Sequence, residues 1–92
     1  MIEFWQRLVA ELEEAQLEML HENDVRNARA LQDLATRARW VELDLRDYDN
    51  ESEFVRSARR VYASWFTVYT DGVAREAADQ CIENARLADI PW

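Results

Sequence analysis

The chain holds one Gly and one Pro in 92 residues, and the Pro is Pro91, the penultimate residue. Sheets need a turn every few residues, and turns draw on Gly, Pro and Asn for backbone conformations that other residues resist. A chain this poor in turn formers is confined to long helices with few breaks. Helices have to bury a stripe against one another. The expectation is therefore an all-α fold, a compact antiparallel bundle of three to four helices, with residues 1–92 forming a single helical domain.

The apolar periodicity supplies the helices. Ile2, Trp5, Leu8, Val9, Leu12, Ala15, Met19 and Leu20 recur at helical spacing. A second stripe runs through Ala28, Leu31, Leu34, Ala35, Ala38, Val41 and Leu45. At about 100° per residue it lies roughly 80° further round than the first, so the two do not share one seam. A break at "HEND" (His21–Asp24) accounts for the offset, with Asn23 or Asp24 capping the second helix; one long helix with two differently packed halves is the alternative. Asn50 and Glu53 stand in capping-box positions for a third, aromatic helix from Glu51 to about Tyr69. Its expected buried set is Phe54, Ala58, Val61, Tyr62, Trp65, Val68 and Tyr69, with Val55 and Phe66 toward its flanks. Gly72 ends that helix or Asp71 caps the next. The fourth helix carries Ala74, Ala77, Ala78, Cys81, Ala85 and Ala88 on one side, a small-residue stripe that admits close approach. The bulky third helix is its expected complement.

Charge narrows function. The net charge is −8 and all eleven basic residues are Arg. The absence of Lys excludes Schiff-base and P-loop lysine chemistry. A free chain of this charge is repelled by nucleic acid and by anionic membranes, and its expected partners carry basic surfaces. The lone Cys81 excludes an internal disulfide, and no leader-like or membrane-length apolar run is present, so the chain reads as cytoplasmic. The charge is also blocked along the chain: −6 over residues 1–24, +2 over 25–46, −4 over 47–53, +3 over 54–69 and −3 over 70–92. In an antiparallel bundle this places opposite charges on neighbouring helices, which favours one topology.

Motifs for catalysis are sparse. Asp47, Asp49, Glu51 and Glu53 alternate like the first ligands of an EF-hand loop. Ser52 stands where that loop needs Gly, and Ala58 where it needs the bidentate Glu. Glu18-x-x-His21 has the spacing of a di-iron carboxylate half-site, without the inward Glu donors that such sites need. Glu11-x-x-Glu14 and Glu76-x-x-Asp79 resemble the magnesium-holding acidic pairs of all-α nucleotide pyrophosphatases. No Lys or Asn-rich motif accompanies them, and that family is not assigned. Cys81 lies in the Ala stripe as a buried, inert thiol. Arg26, Arg29, Arg37 and Arg39, with Trp40 nearby, and Arg56, Arg59 and Arg60 read as basic faces paired to the acidic helices. No cofactor, metal ligand or catalytic residue is expected.

The expectation is a non-enzymatic acidic interaction protein, an inhibitor or adaptor for a basic, nucleic-acid-binding surface of another protein. In general character it resembles small phage-encoded blockers of nucleases or CRISPR complexes, which act as nucleic-acid mimics. The expected contact residues are Glu11, Glu14, Glu18, Asp47, Asp49 and Glu51. Two alternatives are a self-associating structural module, dimerising through the Ala/Cys stripe or the spare face of the aromatic helix, and a metal enzyme built on Glu18 and His21.

Overall fold

The long apolar stripe at the N-terminus becomes α1, Ile2–His21. The computed structural model describes residues 2–45, 60–62, 64–66, 68 and 70–89. Trp5, Leu8 and Leu12 are fully buried along the inner side of α1, with Val9 and Met19 beside them. Removing a Leu side chain from water contributes about 1.5–3 kcal/mol, so three such residues in two turns fix which way the helix faces. Leu20 belongs to the stripe in sequence but is exposed. It sits one residue past Met19, about 100° round the helix, and only Met19 reaches the core.

What stops α1 is the backbone of Asn23, which adopts φ 61°. Asn tolerates this left-handed conformation better than most residues. The amide of Asn23 donates to the Leu20 carbonyl at 3.0 Å, and that of Asp24 to the Met19 carbonyl at 2.8 Å. This is the paired-bond C-cap that satisfies carbonyls a helix end leaves open. Asp24 then starts α2, Val25–Leu45. Its Oδ1 accepts from the Asn27 amide at 3.2 Å, its Oδ2 from Asn27 Nδ2 at 2.6 Å, and its carbonyl from the Ala28 amide at 3.0 Å. Of the two candidate caps, Asp24 is the N-cap and Asn23 the C-cap of the preceding helix. The single long helix is ruled out, and α1 and α2 form a tight antiparallel hairpin.

α2 buries Ala28, Leu31, Leu34, Ala35, Ala38 and Val41 of the stripe expected of it, and the Leu45 side chain lies outside the described residues. The described helical residues between 60 and 68 belong to α3, and here the expected face needs correcting. Tyr62 and Phe66 are buried, while Val61 and Val68 are exposed and Trp65 is half-buried. The helix is turned so that the 62–66 line faces inward. The large rings fill that space and the smaller Val side chains are left to solvent. Tyr62 is the hub. Its ring meets Trp5 edge-on at 5.1 Å, Trp65 at 5.7 Å and Phe66 at 5.5 Å. Its hydroxyl donates to the Leu34 carbonyl at 3.3 Å, which ties α3 to α2. Edge-to-face pairs of this kind add about 0.5–1.5 kcal/mol beyond their buried area.

α4, Gly72–Asp89, follows a short connection. The Thr70 amide and hydroxyl both donate to the Phe66 carbonyl. The Asp71 carbonyl accepts the first bond of α4 from the Arg75 amide at 3.3 Å, and Gly72 takes φ 49°. Ala74, Ala78, Cys81 and Ala85 are buried. Among the described elements this stripe packs more closely against α1 than against α2, and Tyr62 and Phe66 of α3 share its core cluster. Ala77 of the same stripe is half-buried against the core. The described elements are all helical and form a small all-α bundle.

Candidate interaction surface

Three of the six sequence-derived contact residues come together on one edge of α1. Glu11, Glu14 and Glu18 lie at i, i+3 and i+7, which places them on one side of a helix. That side borders α4. Asn84 Nδ2 donates to Glu11 Oε2 at 3.3 Å and is itself aligned by Gln80, whose Nε2 donates to Asn84 Oδ1 at 2.9 Å. Arg7 Nε stands 3.3 Å from Glu11 Oε1. Glu14 and Glu18 are exposed, and among the described residues neither has an ion-pair partner. Asp47, Asp49 and Glu51 lie outside the described residues, as do Asn50, Glu53 and the remaining EF-hand-like positions.

The electrostatics of this edge register on Cys81. Its thiol is pushed up to about 11, first by burial and then by the negative charges of Glu11, Glu14 and Glu18. A thiol held neutral in this way is a poor nucleophile, in keeping with the inert role expected of it. Burial likewise raises the Tyr62 phenol, with the nearby Cys81 adding to it.

The other sequence-derived candidates are dispersed. Among the described residues, no three His, Cys, Asp or Glu side chains gather to hold a metal. Glu18 and His21 are both exposed near the end of α1, and Glu76 and Asp79 are exposed on α4. Several arginines are engaged within the protein. Arg39 pairs with Glu13 across the α1–α2 hairpin, Arg26 stands 3.6 Å from Asp71, and the Arg37 guanidinium lies 5.3 Å from the Trp65 ring centroid. The Arg39–Glu13 and Arg26–Asp71 pairs join acidic to basic segments, as the charge blocks imply. Each exposed pair contributes little energy.

Recesses among the described residues flank the bundle. One, of about 410 Å³, lies between the starts of α2 and α4 and the end of α3, and mixes Arg26 and Arg75 with Asp33 and Asp71. Another, of about 320 Å³, lies between α1 and α2 around Leu17, Ala35 and Thr36. Sequence reasoning missed this second surface. The signal for it was present in the apolar Leu17 and Leu43, which lie outside the buried stripes. The molecule thus defines itself as a small all-α bundle with an acidic edge. Comparison with protein-family models, curated proteins and solved structures gives no match. Among the described residues no helix is long and apolar enough to cross a membrane.

Proposed function

We propose that the chain is a non-enzymatic interaction protein whose acidic edge binds a basic, nucleic-acid-binding surface of another protein, acting as an inhibitor or adaptor of the nucleic-acid-mimic type. The observation that carries this reading is the row Glu11, Glu14 and Glu18, opposed among the described residues by Arg7 alone. Like charges one turn apart on a helix cost about 0.2–0.5 kcal/mol per pair. A cationic surface laid against the row relieves that cost and adds its own attraction, so the unbound protein is primed for such a partner. The net charge of −8 steers the encounter over a longer range. Asp47, Asp49 and Glu51 extend the same chemistry in sequence.

The test is affinity capture from a host lysate over a salt series, comparing the native chain with a Glu11→Gln/Glu14→Gln/Glu18→Gln variant and with an Asp47→Asn/Asp49→Asn/Glu51→Gln variant. The expected result is a basic protein retained at low salt, released as salt rises and lost with the first variant. Retention of nothing basic, or retention indifferent to both salt and the substitutions, overturns the reading.

A further inference from the structure

We draw no further inference here: the strongest candidate, the partly apolar face of the α1–α2 hairpin where Leu17, Leu20, Val25 and Leu43 stand exposed beside the recess over Ala35 and Thr36, carries nothing, because nothing in the structure shows what covers it.

Discussion

The two flanks of α1 make the instructive contrast. On one, Glu11, Glu14 and Glu18 line the border with α4 and raise the Cys81 thiol. On the other, Leu17 and Leu20 stand in solvent beside the paired Glu13 and Arg39. Between them runs the buried line of Trp5, Leu8 and Leu12. A helix described only as having an apolar and a polar face conceals this division. The solvent-facing arc of α1 is two surfaces, one suited to cations and one to an uncharged, partly apolar contact.

The most severe way to break the contrast is to unseat α1. Leu12→Ala, at a fully buried position, should cost about 2–5 kcal/mol, because the lost transfer energy adds to the cavity left behind. Urea unfolding measures this, and a cost under about 1 kcal/mol would show that α1 does not pack through Leu12.

Alkaline pH acts next, through the acidic flank. Cys81 keeps its proton in the folded chain up to about 11 against an ordinary value of 9.0, and the Tyr62 phenol is raised in the same direction. Well below pH 9.0 the thiol is neutral in both states and contributes no pH dependence. As pH rises above it, the unfolded chain releases the proton first and is favoured, so stability falls until the folded thiol ionises too. Urea midpoints on either side of pH 9.0 should show the drop, and Cys81→Ala should reduce it.

The hairpin turn tests the apolar flank, since the angle between α1 and α2 shapes the recess over Ala35. Asp24→Ala should cost about 1 kcal/mol through loss of the cap on α2. Asn23→Ala should cost about 1–2 kcal/mol by forcing a side chain with no local hydrogen bond into the left-handed region, whereas Asn23→Gly should be nearly neutral. A cost for Gly equal to that for Ala would contradict the conformational account. The smallest effect on stability comes from the acidic flank. Glu14→Gln/Glu18→Gln should raise stability by about 0.2–0.5 kcal/mol per like-charge pair removed. It should also lower the Cys81 titration seen by thiol alkylation, without returning it to 9.0, because burial remains the larger cause.

Sequence periodicity alone located α1, the break at His21–Asp24, α2 and α4, because a helix that buries one side must repeat its apolar residues every three to four positions. The same logic identified Ala28, Leu31, Leu34, Ala38, Ala78 and Ala85 as interior, and local chemistry named the residues of the HEND turn. In the aromatic segment the pattern was too rich to choose a side. Val61, Tyr62, Trp65, Phe66 and Val68 surround the helix with apolar groups, so its own sequence does not specify which way it turns. Packing decided that, admitting Tyr62 and Phe66 and leaving Val61 and Val68 outside. Tertiary structure also chose neighbours: the Ala stripe met α1, and Glu42 entered the interior of the bundle. A helical stripe specifies what each element has to bury, but the order of elements around the core depends on how all the side chains fill a shared volume. That order is what gave α1 one edge of carboxylates against α4 and another of leucines facing solvent.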